Sequence, residues 1–247
     1  MPITTLPWNE GFEGITSANE LPPCMSKTSS GVETYLASTT YNRSARTGSK
    51  FAAFKWDADD YLFTPGFQLV AGATYNFSFY YKADGKDGFG PLAARLCSGQ
   101  TSADTVSTIG IQVDTFTNTT YQEYNGTFTV GSDDVYYIGI YCEGDGEPWY
   151  ASIDDLSLTL VSMPCIAPTN VTSSEITQTS AKISWTSSAS ASSWQVKLGD
   201  NGSVIDTNVT NYTFNNLTAG TNYIAYVRSK CSDTTYSDWA SVFIHNS

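Results

Sequence analysis

Apolar and polar positions alternate with a period of two along much of this chain. Tyr75, Phe77, Phe79 and Tyr81 share one face, opposite Asn76, Ser78, Tyr80 and Lys82, which predicts a strand with one buried side. Tyr136, Ile138, Ile140 and Cys142 repeat the pattern, as do Leu156, Leu158 and Leu160 near the end of the first two thirds. Weaker strands are expected at 7–13, 51–54, 61–65, 92–97, 107–111 and 124–130, separated by Gly, Pro, Ser and Asn. No long amphipathic helix is found. Short strands at this spacing predict an all-β protein, with a jelly-roll sandwich as the leading architecture of the first part.

The character changes near Ser162-Met163-Pro164. Beyond it, strands are expected at 181–185, 194–198 and 222–228. About 80 residues with roughly seven short strands fit an immunoglobulin-like sandwich. The expected division is therefore a jelly roll over 1–162 and a second β-sandwich over 163–247.

One strand carries an anomaly. In Ile153-Asp154-Asp155-Leu156 two adjacent carboxylates sit beside core positions. A carboxylate at the edge of a core must meet a cation, backbone N–H groups or water. The matching acids lie at the other end of the domain, in Trp8-Asn9-Glu10-Gly11-Phe12-Glu13. The expectation is that the first and last strands of this domain are neighbours and share a calcium ion here.

Charge narrows the function. The chain carries −12 overall, which argues against nucleic acid and against docking on anionic lipid. The excess is uneven: residues 1–164 hold 19 acids and 8 bases, residues 165–247 hold 5 and 4. Solubility explains most of this; a cation-binding first domain is the sharper reading. No apolar run is long enough to span a membrane, and no hydrophobic signal segment follows Met1, so membrane insertion is not expected. Met1-Pro2-Ile3 reads as an added methionine on a mature or excised piece of a larger multidomain protein. Five cysteines, at 24, 97, 142, 165 and 231, suit an oxidising compartment.

The one histidine, His245, lies three residues from the end, so no Ser/His/Asp, Cys/His or histidine metal site can be assembled. No carboxylate pair stands out for glycoside hydrolysis, and the chain is read as non-enzymatic. Trp56, Tyr80, Trp149 and Tyr150 lie in loops or on polar faces and are the candidate ligand platform. Asp57, Asp59 and Asp60 are read as a solvated loop tip in preference to a second ion site. Cys97 and Cys142 could pair or remain buried thiols.

The second part resembles a fibronectin type III module of the kind frequent in secreted proteins of Bacteroidetes. The resemblance rests on Cys165-Ile166-Ala167-Pro168, Trp185, Leu217-Thr218-Ala219-Gly220-Thr221-Asn222-Tyr223, Val227-Arg228-Ser229-Lys230-Cys231 and Tyr236-Ser237-Asp238-Trp239. It implies a disulfide between Cys165 and Cys231. The first part resembles the cleaved-adhesin and "choice-of-anchor J" family, relatives of MAM domains. The matching pieces are Glu10-Gly11-Phe12-Glu13, Leu21-Pro22, Thr47-Gly48-Ser49, Asp60-Tyr61-Leu62-Phe63-Thr64-Pro65, Ala71-Gly72-Ala73-Thr74-Tyr75 and Ile153-Asp154-Asp155-Leu156. A tryptophan expected soon after Leu-Pro is absent, and Tyr61 stands where a tryptophan is usual.

The likeness implies a structural calcium ion held by Glu13, the carbonyls near Thr47 and Lys50, and Asp155, with Asp154 as the alternative carboxylate. The competing reading is that Asp154 and Asp155 cap backbone N–H groups at a bulge. The implied role is a secreted or cell-surface, calcium-stabilised adhesion or binding protein that recognises an extracellular glycan or host protein. The alternatives are carbohydrate-binding accessory modules of a larger secreted hydrolase or protease, and a structural stalk.

Overall fold

The computed structural model describes residues 1–85, 89–144, 150–188 and 191–246. The chain divides into two compact units, Met1–Ser162 and Met163–Ser247.

The first unit contains β1 (Trp8–Glu10), β2 (Ser26–Lys27), β3 (Val32–Tyr35), β4 (Phe51–Lys55), β5 (Asp59–Phe63) and β6 (Phe67–Leu69). These are followed by β7 (Thr74–Ala83), β8 (Leu92–Cys97), β9 (Thr105–Val113), β10 (Gln122–Thr129), β11 (Asp134–Glu143) and β12 (Tyr150–Ser162). One six-stranded sheet runs β10-β7-β12-β4-β3, with β1 also on β12. The other runs β2-β5-β11-β8-β9, with β6 on β11. The pairings are antiparallel, and most of them join elements that are not consecutive in sequence, as in a jelly-roll sandwich.

The alternation seen in the sequence is spent on the core between these sheets. Phe77, Phe79, Ile138, Ile140, Cys142 and Leu158 are fully buried. At one edge the sheets approach closely: a Cβ added to Gly126 would lie 2.6 Å from Gly110 Cα, so both positions must lack a side chain. The Tyr124 hydroxyl donates to the Ile109 carbonyl across the same edge, at 2.6 Å. Leu160 departs from the pattern and is 44 % exposed.

Strand β12 changes its neighbour along one edge. Residues 150–153 pair with β4, and Leu156–Leu158 pair with β1. On its other edge the ladder to β7 is irregular between Asp154 and Ser157. Asp155 has φ of 50°, and an extra residue here forms a bulge. The inward positions therefore shift from 151 and 153 to 156 and 158. The bulge falls where β4 ends and β1 takes over.

The outer face of the same sheet is covered at one end by the segment before β4. Lys82 is only 5 % exposed, because its ammonium donates to Ser44 Oγ at 2.7 Å under this segment. The Tyr121 hydroxyl donates to the Ser44 carbonyl at 2.7 Å. Asn42 donates to the carbonyls of Ala83 and Thr119. Burial lowers the pKa of Lys82.

The second unit contains β13 (Thr169–Ser174), β14 (Ser180–Thr186), β15 (Ser193–Leu198), β16 (Ile205–Thr207), β17 (Asn211–Asn215), β18 (Asn222–Lys230) and β19 (Ala240–His245). A three-stranded sheet, β13-β14-β17, faces a four-stranded one, β16-β15-β18-β19. Trp185 and Trp194 meet edge to face at 6.1 Å within the core. A disulfide joins Cys165 to Cys231. Among the described residues no helix is long and apolar enough to cross a membrane.

Candidate functional site

The acids singled out in the sequence converge on one turn, residues 46–50, which leads into β4. The first strand stops at Glu10, and Phe12 takes φ of 61° with its ring fully buried. That reversal brings Glu13 to the end of the turn. Glu13 Oε1 accepts from the backbone N–H groups of Ser49 at 2.8 Å and Lys50 at 2.7 Å. These donors, Ser49 first, lower the pKa of Glu13. The Lys50 ammonium reaches back to the carbonyls of Glu13 at 2.7 Å and Ile15 at 2.5 Å.

The bulge on β12 serves the start of the turn. Asp154 is fully buried. Its Oδ2 accepts from the N–H groups of Arg46 at 2.7 Å and Thr47 at 3.2 Å, and its Oδ1 from that of Asp155 at 2.8 Å. Burial outweighs these bonds and pushes the carboxyl up to about 6. Asp155 Oδ2 pairs with the Arg46 guanidinium at 2.8 Å, and its Oδ1 accepts from the Thr47 hydroxyl at 2.5 Å.

Glu13, Thr47, Lys50, Asp154 and Asp155 are thus neighbours, but Thr47 and Lys50 face the acids with donors. The acids cap N–H groups and hold the chain's own cations. As arranged, this set does not fit a calcium ion, which needs six to eight oxygens turned toward one point. Among the described residues no three Asp, Glu, His or Cys side chains form a metal-holding group.

Sequence reasoning did not anticipate Arg46. Its guanidinium both pairs with Asp155 and lies 3.4 Å above the ring centroid of Tyr80. The parity change from Ile153 to Leu156 is the signal that reveals the bulge, since a regular strand cannot bury both. Beside Arg46 an open groove of about 390 Å³ runs over the outer face, lined by Asn9, Glu10, Ser78, Tyr80, Glu123 and Ser157 among others. Glu10 accepts from the Phe12 N–H at 2.6 Å, and burial raises its pKa against that bond.

Of the four aromatic candidates, the three that are described do not form one platform. Trp56 and Tyr150 meet edge to face at 5.8 Å, and Tyr41 stacks on Tyr150 at 6.0 Å. The Arg43 guanidinium lies 4.0 Å over Tyr150 and 4.6 Å over Tyr35. Tyr80 belongs to the groove, four positions away along β12: it pairs with Asp154, whereas Tyr150 pairs with Lys55. Trp149 lies outside the described residues.

The structure also decides between the alternatives left open for the cysteines and for the aspartates at 57–60. Cys97 and Cys142 are buried free thiols, and Cys24 is an exposed one. On paired strands Cys97 is opposite Tyr137 and Cys142 opposite Leu92; five residues of strand separate them by roughly 16 Å, beyond the reach of a disulfide. The aspartates at 57–60 are not simply a solvated tip. Asp60 is 4 % exposed and accepts from the hydroxyls of Thr28 at 2.6 Å and Ser29 at 2.9 Å. Asp59 accepts from the Tyr141 hydroxyl. In the second unit His245 contacts the Asn222 side chain. Trp239 packs between the cations of Lys197 and Arg228, at 5.0 and 4.5 Å.

Residues 166–243 match the fibronectin type III domain family model. No curated protein matches the chain. Among solved structures, the CBM22-1 xylan-binding domain from Paenibacillus barcinonensis Xyn10C is similar at 13 % identity and a TM-score of 0.46, covering 64 % of this chain and 95 % of its own. The K1 cleaved adhesin domain of Lys-gingipain from Porphyromonas gingivalis W83 is similar at 12 % identity and a TM-score of 0.46, covering 64 % and 100 %. TmCBM61 in complex with β-1,4-galactotriose is similar at 20 % identity and a TM-score of 0.44, covering 61 % and 94 %.

Proposed function

We propose that this chain is a secreted or cell-surface, non-catalytic binding protein whose first unit takes a neutral glycan on the outer face of the sheet containing β7, β12 and β1. The second unit then serves as a fibronectin type III spacer. The observation that carries this reading is the groove beside Tyr80. A sugar offers hydroxyls that need donors and acceptors, and a C–H face that packs on an aromatic ring. Asn9, Ser78 and Ser157 supply both kinds of hydrogen bond, Glu123 accepts, and Tyr80 supplies the ring. These groups stand on strands, so little ordering is required when ligand arrives.

Charge selects within the class. Residues 1–164 carry an excess of 11 acids, and Glu10, Glu123 and Asp155 line the groove. An anionic polysaccharide would be repelled, whereas a neutral one pays no such penalty. The disulfide of the second unit suits an extracellular setting.

Affinity electrophoresis through neutral polysaccharide gels, together with a glycan array, tests this. Retardation by at least one neutral glycan is expected, and Tyr80→Ala should weaken it roughly tenfold, about 1.4 kcal/mol, in protein that circular dichroism shows to be folded. Tyr41→Ala, in the separate aromatic cluster, should leave binding unchanged. Silence across the array with folded wild-type protein rejects the glycan reading.

A further inference from the structure

We infer that the junction of β1, β12 and the 46–50 turn is closed by the chain's own cations, Arg46 and Lys50, and holds without a divalent metal ion. Three carboxylates, Glu13, Asp154 and Asp155, gather here. A gathering of like charge needs positive charge or N–H donors close by.

The donors are already supplied. Both oxygens of Asp154 are met by backbone N–H groups, those of Arg46 and Thr47 on one and that of Asp155 on the other. Both oxygens of Asp155 are engaged, one by the Arg46 guanidinium and one by the Thr47 hydroxyl. Glu13 Oε1 accepts two N–H groups, and Oε2 faces the Ser49 hydroxyl at 3.4 Å. The carbonyls of Glu13 and Ile15, oxygens of the kind a hard cation needs, receive the Lys50 ammonium instead.

A divalent ion entering this junction would have to displace two side-chain cations and turn N–H donors away from their acceptors. The acids are also divided between the two ends of the turn, Asp154 and Asp155 at Arg46–Thr47 and Glu13 at Ser49–Lys50. Arg46 extends the arrangement to the outer face, because the guanidinium that neutralises Asp155 also covers one side of Tyr80. Arg46 is therefore a positioning residue, joining the closure of the unit to the aromatic wall of the groove.

The test uses the full chain and calcium chloride as the probe. Thermal unfolding should give the same transitions in excess EDTA and in millimolar calcium, and calorimetric titration should show no saturable heat. Arg46→Met and Lys50→Met should each lower the first unit's melting temperature by several degrees, with the second unit's transition unmoved. Arg46→Met should also change the near-ultraviolet signal of tyrosine; Lys50→Met should not. A rise in melting temperature with calcium, or saturable heat of one ion per chain, would overturn the inference even if neither variant folds. So would variants that both melt like wild type. None of these readouts involves a glycan, so this inference and the proposed function fail separately.

Discussion

Asp154 Oδ2 accepts a 2.7 Å hydrogen bond from the backbone nitrogen of Arg46, 108 residues earlier in the chain. That bond fixes the turn before β4 onto the bulge of β12. It lies at the point where β12 exchanges one neighbour for another, and no regular ladder could satisfy the turn's N–H groups there.

Asp154→Asn should destabilise the first unit by about 1–3 kcal/mol. An amide has a single acceptor oxygen, whereas both Asp154 oxygens receive N–H groups. The amide NH₂ would face a donor whichever way it turned. Urea unfolding of wild type and variant at neutral pH measures the difference.

Acidity should act on the same residue in a definite direction. The folded carboxyl is raised to about 6 from an ordinary value of 3.8, chiefly by burial. Above the unfolded value the unfolded chain has released its proton while the folded one retains it. The contribution of Asp154 to stability is therefore fully present below about pH 4 and is lost as pH rises through about 6. In Asp154→Asn this slope is absent, so the stability gap between wild type and variant should narrow from pH 4 to pH 7. A gap that widens over that range contradicts the assignment.

Gly48→Ala tests the other end of the turn. Gly48 has φ of 59°, and an added Cβ would lie 2.4 Å from Glu13 Oε1. The left-handed conformation alone costs a non-glycine residue about 1–2 kcal/mol, and the methyl group would dislodge the Glu13 cap. Gly14→Ala is the control, since nothing lies within 4 Å of its added Cβ. The first variant should melt several degrees lower and the second close to wild type.

Thiol titration checks the cysteine assignment. One thiol, Cys24, should react in the native protein. Three should react after unfolding without reductant, because Cys97 and Cys142 are buried and Cys165 is joined to Cys231. Burial also pushes the Cys97 and Cys142 thiols up, away from the reactive thiolate. Three fast thiols in the native state would show that β8 and β11 are not packed as described.

Much of the architecture was legible because alternation is a local property. Tyr75 to Tyr81 and Tyr136 to Cys142 announce their inner faces without reference to any partner. The pairing of Glu10-Gly11-Phe12-Glu13 with Ile153-Asp154-Asp155-Leu156 was also legible, since each acid beside a core position needs a partner. What those acids meet was not. Whether a carboxylate faces an ion, an arginine or an N–H group depends on the direction of a turn that lies 108 residues from Asp154 and 36 from Glu13.

The chain by itself determined the all-β architecture and the buried faces of β7 and β11, because periodicity and turn chemistry act over a few residues. Tertiary structure alone decided which donors Asp154 and Asp155 meet, that Lys82 is buried beneath Ser44, that Cys97 and Cys142 are out of register, and that Arg46 reaches both Asp155 and Tyr80. Each of these depends on which distant strand lies alongside and how far it is shifted. Register is a relation between segments, and neither segment carries it alone.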